Sequence, residues 1–191
     1  MIDKKINKLR NLIKLNNIDG YIVPKNDEFF SEYAFPNRLK AISNFSGSAG
    51  LAIILKDKNF LFVDGRYILQ SKIESGNNFK IIEIPKLPPH DLLRKYKKEL
   101  LLGFDPKLFT NNSLKRSFKD SCNLFPINQN LIDLIDTKKI YDHRKESFYT
   151  LDDKVVGESV NSKINKLILN LKKNKIDNIF ISAPENVAWL L

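Results

Sequence analysis

Hydrophobic and polar positions follow two rhythms along this chain of 191 residues. Ile6, Leu9, Leu12, Ile13 and Leu15 recur every three or four positions, which predicts an amphipathic helix over residues 4–16, ended by Asn16-Asn17. Ile18 to Val23 is a short apolar run closed by Pro24, the pattern of a strand. Residues 25–33 are polar, with Phe29, Phe30 and Tyr33, and fit a short helix. Residues 34–50 mix Pro36, Gly47 and Gly50 with small side chains and read as a loop. Leu51–Leu55 and Phe60–Val63 then flank Lys56-Asp57-Lys58-Asn59 as two strands of a hairpin. Asp64 sits where an N-cap would sit, and Tyr67, Ile68 and Ile73 predict a helix ended by Gly76. Further on, strands are expected at 79–84, 100–104 and 122–125, and helices at 90–98, 111–119 and 131–135. Helices and strands are interleaved throughout, which argues an α/β fold: a mixed sheet flanked by helices.

The texture changes near residue 130. The pattern predicts a first domain over residues 1–130, a polar linker over 131–154, and the truncated beginning of a second domain over 155–191. In that last stretch Val160, Ile164, Leu167, Ile168 and Leu171 form a second helical stripe, Ile176–Ile181 reads as a strand, and Pro184 opens another helical run. The second stripe repeats the first. On a shift of 158 positions, Ile6-Asn7-Lys8-Leu9 falls on Ile164-Asn165-Lys166-Leu167. Lys14, Asn16, Ile18 and Asp19 fall on Lys172, Asn174, Ile176 and Asp177, so 8 of the 14 positions from 6 to 19 are identical. The second domain therefore opens as the first does. One helix and one strand cannot bury their apolar faces alone, so residues 155–191 are expected to fray or aggregate while 1–130 fold cooperatively.

Charge and chemistry narrow the functional classes. The formal net charge is +10, which invites a nucleic-acid partner. However, 26 of the 32 basic residues are Lys and lie scattered beside helical patterns, whereas arginine forks are what read phosphates and bases. Nucleic acid is not an expected partner. Nor is a membrane, since no apolar run approaches the ~18–20 residues of a spanning helix. The lone Cys122 cannot form an internal disulfide, so a cytoplasmic setting is expected. His90 and His143 lie far apart and neither has a ligand-forming partner at metal-binding spacing. Cys122 reads as a small buried apolar side chain rather than a nucleophile. Ser46-Gly47-Ser48-Ala49-Gly50 lacks the ending of a phosphate loop and precedes a strand, so its glycines read as positive-φ residues of a tight turn. Asp64-Gly65-Arg66-Tyr67 is the most informative segment. Asp64 caps the next helix, and Arg66 stands at the C-terminal end of a strand, the edge where α/β sheets place ligand contacts. Arg66 can offer a fork to a carboxylate or peptide carbonyl, or can pair with Glu28, Glu32 or Asp64 at the surface.

Four blocks in order resemble the N-terminal region of aminopeptidase P, the Xaa-Pro aminopeptidase family of the three-domain type. They are Tyr21-Ile22-Val23-Pro24 with Ser31-Glu32-Tyr33 and Pro36; Ser43-Asn44-Phe45-Ser46-Gly47-Ser48-Ala49-Gly50; Asp64-Gly65-Arg66-Tyr67 with Leu69-Gln70; and Gly103-Phe104-Asp105-Pro106. Gly157-Glu158-Ser159 and Ala188-Trp189-Leu190-Leu191 extend the likeness to the far end. Asn44 stands where the family usually has Gly, and Ile68 where it usually has Phe; Asn44 can hold a positive-φ turn. The resemblance implies a creatinase/prolidase N-terminal-like, ribonuclease H-like fold, repeated in a second domain and followed by a catalytic domain. It implies removal of an N-terminal residue preceding proline, by a water that two Mn²⁺ ions activate. In the family every metal ligand lies in the catalytic domain, so no catalytic and no metal-binding residue is expected in this chain. Arg66, the arginine of the DGRY block, is the expected substrate-binding residue. The implied partners are the missing C-terminal catalytic domain, a peptide with proline at its second position and, since family members commonly pair, a homodimer of the intact enzyme. A different class stays open beside it: a stand-alone, catalytically inactive peptidase-like module that binds protein or peptide.

Overall fold

The structure, a computed structural model, describes residues 2–31, 33, 35–135 and 149–191. The chain divides into two compact units, Met1–Tyr141 and Asp142–Leu191. Parts of the expected linker, at 136–148, and His143 and Glu32 lie outside the described residues.

The first unit is built on a six-stranded sheet. Its strands are β1 (Gly20–Pro24), β2 (Leu51–Leu55), β3 (Asn59–Asp64), β4 (Lys80–Ile84), β5 (Leu101–Phe104) and β6 (Asn123–Pro126), in the spatial order β4-β3-β2-β1-β5-β6. β2 runs antiparallel to both neighbours, β1 and β3, and every other pairing is parallel. Among the described residues, six helices cover the sheet: α1 (Ile2–Leu15), α2 (Arg38–Ser43), α3 (Ile68–Ser75), α4 (Pro89–Leu93), α5 (Asn111–Phe118) and α6 (Leu131–Ile135).

Alternation along the strands sends side chains to two cores. Tyr21 and Val23, Ala52 and Ile54, and Leu61 and Val63 face one core, where they meet Ile6, Leu9 and Ile13 of α1, Leu39 and Ile42 of α2, and Leu131 and Ile132 of α6. Ile22, Ile53, Leu55, Phe60 and Phe62 face the other, with Leu92 and Leu93 of α4 and Phe118 of α5. With both faces covered, a central strand reads as an unbroken apolar run. All five residues of β1 are buried. A tight approach behind β5 explains one glycine: a Cβ at Gly103 would lie 2.6 Å from Ile18 Cδ1 and 2.8 Å from Ile127 Cδ1.

The structure departs from the sequence expectations in local places. Residues 25–31 form turns rather than a short helix. There the Asp27 carboxylate accepts the Phe29 and Ser31 N–H groups at 3.0 Å each and competes with helical bonding. The stretch expected to be all loop contains α2. Its signals were the Asn37 side chain, which accepts the Lys40 N–H at 3.0 Å, and Asn44, which ends the helix at φ 63°. α4 is shorter than the expected 90–98, ending at Leu93.

The second unit contains α7 (Asp153–Val156), α8 (Val160–Lys173) and α9 (Pro184–Leu190). Residues 176–181, expected as a strand, pair with no strand among the described residues. A lone strand leaves its backbone groups to water and is not stable by itself. The apolar stripe of α8 instead borders a cleft of about 440 Å³ lined by Leu167, Ile179, Ile181, Trp189 and Leu190.

Candidate functional site

The topology gathers the motif blocks at one edge. Because β1, β3, β4, β5 and β6 run the same way, the segments that follow them emerge together, and the loop entering β2 joins them. That edge therefore holds the 44–50 loop, the Asp64–Tyr67 turn and the Asp105–Leu108 turn. It is the edge at which parallel α/β sheets bind ligands.

Asp64 ends β3 with extended backbone and caps a single 3₁₀ turn, Gly65–Tyr67, by accepting the Arg66 N–H at 2.9 Å. The same carboxylate takes two charge-assisted bonds from the Arg66 side chain, Nε at 3.1 Å and Nη2 at 2.7 Å. This bidentate pairing holds the fork in one orientation, and the guanidinium also lies over the Tyr67 ring, 5.2 Å from its centroid. Arg66 stays 72% exposed. Its hydrogen bonds keep the Asp64 carboxyl below the usual carboxylate range. Of the surface pairs expected for Arg66, the structure forms the one to Asp64, whereas Glu28 pairs with Arg38.

The 44–50 loop and α3 lock onto each other. The Glu74 carboxylate accepts the Ser46 N–H at 2.6 Å and its hydroxyl at 2.7 Å, and Gln70 Nε2 bridges Ser46 Oγ and Glu74, both at 3.0 Å. Burial disfavours the charged Glu74, but these hydrogen bonds outweigh it and its pKa is lowered. Tyr67 Oη and Ser48 Oγ share a hydrogen bond of 2.8 Å, and the Tyr67 ring stands edge-on to Phe45 at 5.7 Å. The two blocks that are separate in sequence are thus one structural device. The glycines of the loop are not positive-φ residues, contrary to expectation. Gly47 is required because a Cβ there would sit 2.2 Å from the Phe45 ring, which fills the core beneath. Asn44 does adopt positive φ, as expected.

Sequence reasoning missed a buried charge cluster beside this edge. Arg38 is 5% exposed and pairs with Asp133 of α6, through Nε at 2.8 Å and Nη2 at 2.9 Å, and with Glu28 at 3.0 Å. Burial works against its charge, and the two carboxylates more than restore it. Nothing in local spacing marks Arg38, since its partners lie 10 and 95 residues away. The Asp105 side chain is likewise buried. It caps its own turn through the Lys107 N–H at 3.0 Å and accepts Asn130 Nδ2 at 2.9 Å, while Asn130 Oδ1 takes the Ile132 N–H at the start of α6. Tyr21 Oη accepts the Leu131 N–H at 3.3 Å.

His90 is buried, with Nδ1 3.3 Å from the Ser117 carbonyl. Cys122 is buried, and burial pushes its thiol up to about 11, so it is no thiolate nucleophile. Among the described residues, no three His, Cys, Asp or Glu side chains come together to hold a metal ion. The residues described do not fit a dinuclear metal centre. Among them also, no helix is long and apolar enough to cross a membrane.

A central sheet of this order, with its motifs at one edge, defines a domain class. The family model described as Creatinase/Prolidase N-terminal domain matches residues 5–136, and a second model of the same description matches residues 141–191. The chain belongs to the creatinase/prolidase N-terminal domain family. It is similar to Xaa-Pro aminopeptidase 1 of Dictyostelium discoideum, 34% identical over 207 residues that cover 100% of this chain and 33% of that protein. It is also similar to the probable Xaa-Pro aminopeptidase P of Coprinopsis cinerea, 32% identical over 197 residues, covering 98% of this chain and 32% of the relative. The chain spans about a third of the length of these relatives. Among solved structures, the X-prolyl aminopeptidase from Caenorhabditis elegans, a cytosolic enzyme with a di-nuclear active site, matches with TM-score 0.76 and 27% identity over 100% of this chain and 34% of its own. The separately solved N-terminal domain of the cytoplasmic peptidase PepQ from Mycobacterium tuberculosis matches with TM-score 0.54 over 69% of this chain and 98% of its own. At 18% identity that match concerns the fold alone.

Proposed function

We propose that this chain is the N-terminal, non-catalytic portion of an Xaa-Pro aminopeptidase, and that its first unit shapes access to the active site and contacts the peptide through Arg66. The observation that carries this reading is the clamped pair of motif loops, which presents an exposed, Asp64-oriented guanidinium at the ligand-binding edge of the sheet. A guanidinium has five N–H donors in a fixed fork and suits a peptide carbonyl or carboxylate. The substrate is a peptide with proline at its second position. Hydrolysis belongs to a catalytic domain in the two thirds of the relatives that these 191 residues do not match, with two Mn²⁺ there, and the intact enzyme is a cytoplasmic homodimer. Family membership and the likeness of this whole chain to about a third of an Xaa-Pro aminopeptidase support this reading.

The test compares the chain alone with the chain joined to the remaining two thirds of the Dictyostelium relative, each given an Xaa-Pro peptide and Mn²⁺. The chain alone is expected to show no turnover. The joined enzyme is expected to be active, and Arg66→Ala to lower its kcat/KM about tenfold, the worth of one charge-assisted contact. Turnover by the chain alone would overturn the non-catalytic assignment. An Arg66→Ala enzyme with unchanged kcat/KM would overturn the substrate contact.

A further inference from the structure

The charge of Arg66 is balanced within its own turn. Asp64, two residues earlier, takes the Nε–Nη2 side of the fork at 3.1 and 2.7 Å, and the Tyr67 ring covers one face of the guanidinium at 5.2 Å. The chain itself holds this pair together. The Asp64 carboxylate also caps the turn through the Arg66 N–H at 2.9 Å, and Tyr67 is fixed by Ser48 and Phe45. A second carboxylate stands beside the turn: Glu83 Oε1 lies 3.5 Å from where a Cβ at Gly65 would be, and Lys86 answers that charge at 2.7 Å. The Arg66 side chain is nevertheless 72% exposed and that of Asp64 33%, so a ligand meets the guanidinium together with its partner.

This balance discriminates between the two acceptors that a peptide offers. A backbone carbonyl is neutral and takes a guanidinium N–H whether or not Asp64 is charged. A terminal carboxylate meets a donor whose charge is already neutralised, with a like charge close by. Even in bulk water, repulsion between two unit charges at close range corresponds to about a fivefold change in affinity. Arg38 does hold two carboxylates, Asp133 and Glu28, but the fold fixes both of them beside it, whereas a free peptide is under no such constraint. We infer that Asp64 is a specificity-determining residue: by neutralising Arg66 it makes this edge select peptides whose backbone runs on past Arg66, over peptides whose C-terminal carboxylate falls there. This rests on the proposal that Arg66 contacts peptide, and it names the acceptor that Arg66 takes.

The experiment titrates the isotope-labelled full chain with Ala-Pro-Ala and with the same peptide as its C-terminal amide, following affinity by calorimetry and the Arg66 Nε–H by NMR. The amide is expected to bind about fivefold more tightly. Asp64→Asn removes the charge and keeps a side-chain oxygen that can cap the turn. It is expected to erase or reverse the preference, and to make binding of the free acid weaken with salt. Asp57→Asn, just before the opposite end of β3, removes the same charge from the chain and is expected to leave the preference as it is. The amide shifts of residues 64–68 and an unchanged melt check the fold of each variant. Equal affinities or a preference for the acid in the native chain would overturn the inference. So would a preference that survives Asp64→Asn, or one that Asp57→Asn erases equally. If Arg66→Ala weakens both peptides while the native chain favours the acid, the Arg66 reading stands and the role of Asp64 fails. If Arg66→Ala leaves both affinities unchanged, the Arg66 reading fails and the role of Asp64 with it. Binding of neither peptide overturns both.

Discussion

Helices α1 and α8 begin at Ile2 and Val160 and end at Leu15 and Lys173, so the 158-residue repeat superposes their bounds. They also stop in the same way. Asn17 and Lys175 both turn left-handed, at φ 52° and 55°. Asn16 and Asn174 each return a side-chain amide to the carbonyl four residues back, at 2.8 Å. Ile18 and Ile176 each donate a backbone N–H to a carbonyl five residues back, at 3.2 and 3.0 Å. Beyond that point the copies part. Residues 20–24 become β1, paired on both sides, while residues 176–181 pair with no strand among those described. Ile6, Leu9 and Ile13 are at most 2% exposed, whereas Ile164, Leu167 and Leu171 are only half-buried. The lesson is that a helix and its stop signal are local properties of about 18 residues, and that a strand is not.

Substituting the core positions should give the largest contrast. Leu9→Ala is expected to cost about 2–5 kcal/mol, from lost burial and the cavity left behind. Leu167→Ala, at a half-buried position beside a cleft, should cost less, about 1 kcal/mol or under. Urea unfolding of the full chain measures both. Equal losses would break the comparison, and so would equal hydrogen-exchange protection of residues 2–15 and 160–173.

Asp19 and its repeat partner Asp177 sharpen the comparison through pH. Burial raises the Asp19 pKa, but Lys98 at 2.8 Å, the Leu101 N–H at 3.1 Å and Lys56 at 3.0 Å outweigh it and bring it to about 2. A carboxylate held below its ordinary value of 3.8 contributes stability above that value, and the contribution fades as pH falls from about 4 to 2. With both lysines largely exposed, it is about 1–2 kcal/mol. Asp19→Asn should remove it at pH 7 and leave less stability to lose between pH 4 and 2. Asp177 forms no ion pair among the described residues, so Asp177→Asn should leave melting at pH 7 unchanged, where Asp19→Asn lowers it.

A smaller effect is expected from Tyr21→Phe. It removes the acceptor of the Leu131 N–H and should cost about 1 kcal/mol. The repeat counterpart of Tyr21, Ile179, has no hydroxyl to lose. The smallest effect comes at the left-handed stop of α8. Lys175→Gly relieves a side chain from positive φ and should stabilise the end of that helix by a few tenths to about 1 kcal/mol. The reading is slower amide exchange over residues 170–174.

Much of the first unit was legible in the sequence, because its strands are apolar runs bounded by breakers and α1 carries a full stripe. The motif blocks were legible too, and so was the placement of Arg66 at a strand's end. The rest needed contacts from far along the chain. Arg38 finds Asp133 across 95 residues, and Ser46 finds Glu74 across 28, so neither pairing has a local period to announce it. Helix α2 was hidden among prolines and glycines, and the Asx turn at Asp27 replaced an expected helix. The facing of α3 was equally hidden: Ile68, Ser71 and Ser75 turn toward the core, while Leu69 and Ile73 are exposed.

By itself the sequence determined the course of α1 and α8, the apolar runs that become the strands of the first unit, and that the chain opens twice in the same way. These are local matters of backbone preference, capping and hydrophobic period, complete within a few turns of chain. Tertiary structure alone decided which apolar stripe is buried, which segment becomes a strand, and which loops meet to orient Arg66. Burial and strand pairing depend on a second surface, and a stretch of chain cannot specify that surface from its own residues.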